Sequence, residues 1–309
     1  MRKRIGIIGL GDIAHKAYLP VLASHPEAEI AAVLSRSGET VERVGETYRI
    51  AKRFTDLSEL LREDLDAVFV HSTTQTHADI VMACLERGLH VYVDKPISYR
   101  LEESERIAEE ALKRGKLVAV GFNRRFAPMY AEAKRWVEET GGFDLCIAQK
   151  HRMHPQQQNA KETMYDDMIH MFDLLLWLGK DSYEVTSWLG EKTADGALLH
   201  ASGSLKSGPA ASFVSMSRRA GGDLEKLELH GGGRSVEVVN LESAVFRDRN
   251  EGERSRRFGS WDSISHRRGF TGIIDHFFAS LDRPDRCTIS ADRVIETHRL
   301  VEKLSGMLR

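Results

Sequence analysis

Cysteine is scarce. Cys84, Cys146 and Cys287 stand alone in 309 residues, with no C-x-x-C spacing, so neither a disulfide framework nor a zinc ribbon is indicated and a reducing cytoplasm fits. Proline is sparse as well, at 7 residues, which excludes a collagen-like chain. An excess of one charge is also missing: 44 Lys and Arg face 46 Asp and Glu, a net charge of −2. No global field therefore exists to attract nucleic acid or an anionic membrane, and neither is expected as a partner. No stretch approaches the roughly 18 apolar residues of a membrane span. The apolar run in the opening MRKRIGIIGLG is far shorter than the core of a signal peptide, so the protein is expected to stay in the cytoplasm. Internal repeats and low-complexity segments are lacking too.

What is present is a foldable composition, 41% hydrophobic and 29% charged, on a length that suits two domains. The first third alternates short, nearly continuous apolar runs (4–9, 29–34, 66–70, 90–93 and 117–120) with helix-like segments. Such runs predict buried parallel strands covered on both faces, hence a doubly wound α/β domain. The texture changes after about Gly121. One amphipathic helix is predicted near 164–178, followed by some hundred residues of alternating pattern that predict an antiparallel sheet. Its strands include 198–205, 211–217, 226–230 and 235–241, with a turn at Gly231-Gly232-Gly233. The charged stretch 247–257 reads most simply as a solvated edge or loop, and two helices, 270–281 and 292–308, close the chain.

The first strand runs into Gly9-Leu10-Gly11-Asp12-Ile13-Ala14, a G-x-G-x-x-A turn at the start of a helix. Gly9 allows the tight turn, Gly11 lets the backbone approach a pyrophosphate, and Ala14 permits close helix packing, while the helix N-terminus offers unpaired N–H groups. Asp12 and Ile13 lie in the same turn. At the end of the second run an acidic residue would bind a ribose 2′-hydroxyl; this chain has Ser35-Arg36-Ser37, a cradle for a 2′-phosphate. NADP(H) is therefore preferred, with NAD(H) still compatible. Arg36 facing solvent or stacking on adenine is the alternative. A hydroxyl-rich loop, His71-Ser72-Thr73-Thr74-Gln75-Thr76-His77, follows at the carboxyl end of the sheet, where Ser72, Thr73, Thr74 and His77 are candidates to line the cofactor.

Asp94-Lys95-Pro96 ends the run at 90–93 and makes Lys95 the candidate catalytic lysine. In the second domain Asp166 and His170 are four apart on a helix, so a carboxylate can orient a histidine for general-base work. Asp167 and Asp173, each three residues from His170, suit the same role by spacing. His151-Arg152-Met153-His154 lacks the carboxylate-rich partners of a metal site, and no metal is expected. Arg152, Arg218, Arg219, Arg267 and Arg268 are candidates to hold an anionic substrate, and Tyr165 is a further candidate substrate contact.

These motifs, in this order and separation, resemble the Gfo/Idh/MocA oxidoreductase family over essentially the whole chain, including Gly121-Phe122-Asn123-Arg124-Arg125-Phe126-Ala127-Pro128. Within it, His71-Ser72-Thr73, Val93 to Pro96, Asp166 to His170 and Ser217 to Gly221 resemble the bacterial virulence-factor MviM-like branch. The resemblance implies an NAD(P)-binding Rossmann domain over 1–121. It implies a substrate-binding and dimerisation domain over 122–309 with a large, mainly antiparallel open sheet, in a homodimer or homotetramer. It further implies that Lys95 orients the substrate hydroxyl, that His170 is the acid/base with Asp166 as partner, and that Arg124 stands near the cofactor. Asp94 replaces the family's usual Glu. The expected activity is hydride transfer between a nicotinamide and a secondary alcohol or ketone of a sugar, polyol or related small molecule. The alternative from another class is a non-catalytic NADP-binding sensor.

Overall fold

The computed structural model describes residues 2–179 and 182–309. Its chain divides into two compact units, Met1–Phe122 with Phe270–Glu296, and Asn123–Gly269 with Thr297–Arg309. The first contains β1 (Lys3–Ile8), β2 (Ala28–Leu34), β3 (Lys52–Phe54), β4 (Ala67–Val70), β5 (His90–Val93) and β6 (Val118–Val120). All pair in parallel, in the order β3-β2-β1-β4-β5-β6. Every residue of β4 and of β6 is buried, as helix-covered parallel strands require. β3 carries Lys52 and Arg53 on three residues, too short and too charged to register as an apolar run. Strand order reverses between β1 and β4, which opens a crevice at their carboxyl ends.

The unit includes the returning segment because its sheet is not covered without it. Phe277, fully buried, meets Phe69 edge-on at 5.1 Å and Tyr92 at 5.6 Å. Val120 N donates to Ile289 O at 2.9 Å. Apolar area removed from water is worth roughly 25 cal/mol per Å², so ring-sized side chains arriving from a distant part of the chain contribute strongly to this core.

The second unit holds β7 (Leu145–His151), β8 (Glu184–Lys192), β9 (Leu198–Ser207), β10 (Ala210–Ser217), β11 (Leu224–Gly231), β12 (Arg234–Val239), β13 (Ser243–Asp248) and β14 (Gly252–Arg257). Their order is β14-β13-β12-β11-β7-β10-β9-β8, with β7 and β10 parallel and the other pairings antiparallel. Burial alternates along β7 and β11, and helices Pro128–Glu138 and Ile169–Leu178 pack against the sheet. The β11–β12 turn uses Gly232 and Gly233 at φ 57° and 81°, as a two-residue hairpin demands. The strand expected over 235–241 stops at Val239, because Asn240 and Leu241 turn left-handed at φ 53° and 60°. Residues 252–257 form an exposed edge strand.

The helix expected to be amphipathic over 164–178 is instead buried nearly all round. It begins as Ala160–Thr163, widens into a π turn at Met164–Met168, where Ile169 N donates to Met164 O, and continues as Ile169–Leu178. Its polar members are kept inside by partners: Arg125 donates to both oxygens of Asp173, at 2.9 and 2.6 Å. No helix of the described residues is long and apolar enough to cross a membrane.

Candidate active site

The fingerprint turn sits at the crevice of the first unit. Gly9 has φ 90°, and a Cβ there would come within 2.4 Å of Ser72 N, so the turn against the β4 loop excludes any side chain. A Cβ on Gly11 would meet nothing within 4 Å, leaving its backbone open to a ligand, and Ala14 is fully buried. The cleft, about 290 Å³, is lined by Gly9, Gly11, Ser35, Arg36, Ser72 and Thr73, among others. Asp12 points outward and pairs with Lys16 at 2.7 Å. Ser37 caps the next helix, accepting from Thr40 N at 3.2 Å, while Arg36 is exposed on the cleft wall. Backbone donors and the open space at Gly11 fit the pyrophosphate of a nicotinamide dinucleotide.

Thr74 starts a short 3-10 turn, and Ser72 Oγ accepts from Thr76 at 2.8 Å. His71 is buried against Tyr18 at 3.9 Å. Burial pushes its pKa down to about 3, and neither ring nitrogen has a hydrogen-bond partner among the described residues. His77, expected at the cofactor, is buried with its nitrogens on the Pro96 carbonyl at 2.9 Å and the Ser72 carbonyl at 3.0 Å. It ties the β4 loop to the Lys95-Pro96 turn, whose peptide bond is cis. Lys95 N donates to Asp94 Oδ1 at 2.9 Å. A Cβ on Gly121 would stand 2.7 Å from that same oxygen, so the neighbouring strand end leaves room for Asp94 by lacking a side chain.

The second unit buries a charged network around His170. Arg124 forks onto Glu225 with two hydrogen bonds of 3.0 Å, a planar match that fixes both groups. Its third donor faces His170 Nε2 at 3.1 Å. Guanidinium only donates, so His170 accepts at Nε2, and that nitrogen carries no proton. Lys150, opposite Glu225 in the β7–β11 register, binds Asp167; Arg218 reaches the other Asp167 oxygen at 2.5 Å. Burial lowers Lys150 to about 8. Burial alone would raise Glu225, but Arg124 and Lys150 override it and hold the carboxyl at about 2. Asp167 is likewise held well below the usual carboxylate range by Lys150, against its burial.

Of the three carboxylates spaced to partner His170, Asp167 and Asp173 are therefore committed to other cations. Lys95 lies in the first unit, Asp166 and His170 in the second. Tyr165, a candidate substrate contact, is fully buried, and its hydroxyl donates to Glu302 at 2.7 Å. Arg124, expected near the cofactor, is engaged by Glu225 and His170. Lys150 and Glu225 went unnoticed in the sequence, yet a signal existed. Both occupy inward positions of alternating strands, among Cys146, Ala148, Leu227 and Leu229, where a charge demands a buried partner. Among the described residues no cluster of three or more His, Cys, Asp or Glu is placed to hold a metal ion.

Comparison with known proteins matches this fold. The family model described as "Oxidoreductase family, NAD-binding Rossmann fold", that of Gfo/Idh/MocA, matches residues 3–122. The YceM protein of Salmonella typhimurium is 32% identical over 302 residues, covering 97% of this chain and 96% of its own. The chain belongs to the Gfo/Idh/MocA oxidoreductase family. A second family model, the YceM-like C-terminal domain, matches residues 128–248. The crystal structure of a dehydrogenase, MviM, from Clostridium difficile superposes with a TM-score of 0.93 at 30% identity, covering 99% of this chain and 100% of that one. The scyllo-inositol 2-dehydrogenase (NAD(+)) of Bacillus subtilis is 28% identical over 79% of this chain and 73% of its own. As a Gfo/Idh/MocA protein the chain is an oxidoreductase with an NAD-binding Rossmann unit and a mainly antiparallel partner sheet.

Proposed function

We propose that the protein transfers hydride between NADP(H) and the carbon bearing a secondary alcohol, or the corresponding ketone, on a sugar, polyol or related small molecule. The observation that carries this is His170: a buried imidazole, unprotonated at Nε2, in the second unit of a family oxidoreductase. Imidazole is the side chain best suited to exchange a proton near neutral pH, at Nε2 once the substrate hydroxyl takes the place of the Arg124 N–H. The inositol dehydrogenase relative supports a polyol-like substrate.

When bound, the nicotinamide supplies the two-electron acceptor or donor. The chain's own residues do the rest. The Gly9–Gly11 turn and the helix N-terminus hold the pyrophosphate, and Arg36 with Ser35 and Ser37 holds the 2′-phosphate. Lys95 donates to the substrate oxygen and orients the carbinol carbon. His170 takes the hydroxyl proton as hydride leaves that carbon, and returns it in the reductive direction. Asp166 orients His170, since Asp167 and Asp173 are bound elsewhere. Positioning of this kind contributes roughly 7–11 kcal/mol and acid–base help about 10²- to 10⁴-fold.

The open face of the second sheet exposes Leu189 and Phe213, which supports a homodimer or homotetramer through that face; light scattering measures the mass. A cytoplasmic setting fits the three free, buried cysteines. The functional test is titration with NADPH and NADH, followed by a panel of sugars, polyols and keto acids read at the nicotinamide absorbance. Lys95→Ala and His170→Ala should each keep cofactor affinity and lose about 10²-fold or more in turnover. Full turnover in either variant refutes the roles of Lys95 and His170 in proton and substrate handling.

A further inference from the structure

The six side chains linked around Asp167 and Glu225 carry unequal charge. Arg124, Lys150, Arg152 and Arg218 contribute four cations against two carboxylates. All but Arg152 are almost wholly inaccessible. Burying cations is costly unless a counter-charge meets them. Arg152 is the member of the network left under-engaged. It stands 3.8 Å from Asp167, 4.0 Å from Glu225 and 4.0 Å from Asp223, too far for hydrogen bonds. The hydrogen bond its guanidinium makes is to its own neighbour's carbonyl, His151 O, at 2.9 Å.

Arg152 lines a cleft of about 500 Å³ in the second unit, and so does Arg268. Arg268 is exposed, and among the described residues its side chain makes no hydrogen bond or ion pair. Three carboxylates share the wall, and two are paired by arginines that do not line it: Glu225 is forked by Arg124, and Glu242 accepts from Arg267 at 2.9 Å. The third, Asp223, accepts from Met153 N at 3.1 Å and stands 4.0 Å from Arg152. Two guanidinium groups thus face one carboxylate that neither outside arginine pairs, which leaves the cleft a net positive charge, and their planar donors match carboxylate and phosphate. The cleft also adjoins the chemistry: Glu225 on its wall is joined to His170 through a single side chain, Arg124.

We propose that this cleft binds an anionic group of the substrate, through Arg152 and Arg268, so that the substrate is an acidic sugar or polyol derivative, a carboxylate or a phosphate ester. The inference rests on the oxidoreductase reading above and adds the substrate's charge. A neutral polyol leaves Arg268 without a counter-charge and Arg152 with carboxylates no nearer than 3.8 Å. An acidic one is held by its charged end while a hydroxyl elsewhere on the molecule meets His170.

The test is calorimetric titration of the full chain saturated with NADP⁺, using hexuronates and aldonates, hexose 6-phosphates, and the matching neutral hexoses and hexitols. At least one charged class should bind about ten-fold or more tightly than its neutral counterpart. That preference should weaken as salt is raised and should fall by about ten-fold in Arg268→Gln and in Arg152→Gln. Arg268 is exposed, so its variant is expected to fold normally, and far-UV circular dichroism checks it. The carboxylate and phosphate arms tell the two sources of charge apart. Equal binding of charged and neutral members, no binding of either charged class, or a preference intact in both variants overturns the subsite. Turnover of the same samples separates the two ideas. Turnover of neutral polyols without charge preference overturns the subsite and keeps the oxidoreductase reading. Charge-selective binding with no turnover by any member does the reverse.

Discussion

Replacing Arg124 by Gln removes the fork onto Glu225 and leaves that carboxylate, 7% exposed at its side chain, with Lys150 at 3.9 Å and Arg152 at 4.0 Å. The magnitude follows from the carboxyl itself. Glu225 titrates at about 2 in the fold against 4.5 ordinarily, a difference worth about 3 kcal/mol. Because the folded carboxyl binds a proton less readily than the unfolded one, that stability is present above pH 4.5 and is lost as the pH falls towards 2. Arg124→Gln should therefore lose about 3 kcal/mol near neutral pH, in the range for breaking a buried pair, and its stability should fall less steeply on acidification. Trp136, Trp177, Trp188 and Trp261 are the chain's four tryptophans, and all belong to the second unit. Urea unfolding followed by tryptophan fluorescence thus reads the unit concerned. A loss under about 1 kcal/mol, or an acid slope as steep as in the parent protein, refutes the reasoning.

Gly9→Ala places a methyl against Ser72 N at a φ of 90° and should weaken NADPH binding by about ten-fold or more; unchanged affinity in a fluorescence titration counts against the turn as the pyrophosphate site. Arg36→Asp puts a carboxylate where the 2′-phosphate is assigned, so the ratio of NADPH to NADH affinity should drop about 10- to 100-fold. An unaltered ratio argues that Arg36 faces solvent. His71 is held neutral, titrating at about 3 rather than 6.5. The unfolded chain binds the proton first, so the first unit loses stability as pH falls from 6.5 towards 3. His71→Leu should reduce that loss, to which His77, His90 and His276 of the same unit also contribute, as seen by far-UV circular dichroism, and change stability near neutral pH by no more than about 1 kcal/mol, because the ring nitrogens have no partner to lose.

The parallel sheet was legible because its central strands are apolar on both faces and its fingerprint glycines answer to steric demands that the structure displays. β3 was not, since its burial is partial and its residues are charged. Lys95 and His170 could be singled out as reactive types in suggestive places. Their neighbours could not, because a π turn alters the face each residue presents after Met164, so spacing alone left Asp166, Asp167 and Asp173 equivalent. That Asp167 and Asp173 are held by other cations is decided by Lys150, Arg218 and Arg125, residues brought from a distant strand, a loop and another helix. Helical periodicity likewise misjudged 164–178, whose polar residues are buried by pairing, not turned to solvent.

The return of Phe270–Glu296 to the first unit has a consequence for synthesis of the chain. When Phe122 has left the ribosome, every strand of the parallel sheet has been made, but Phe277 and Ile289, which close its core, have not. About 170 further residues must follow before the unit is complete. At 5–20 residues per second this takes roughly 10–30 s, far longer than hydrophobic collapse. Throughout that interval Phe69 and Tyr92 lack their covering rings, so the nascent sheet presents an apolar surface to chaperones, and the cofactor, if it binds early, is held by an unfinished fold.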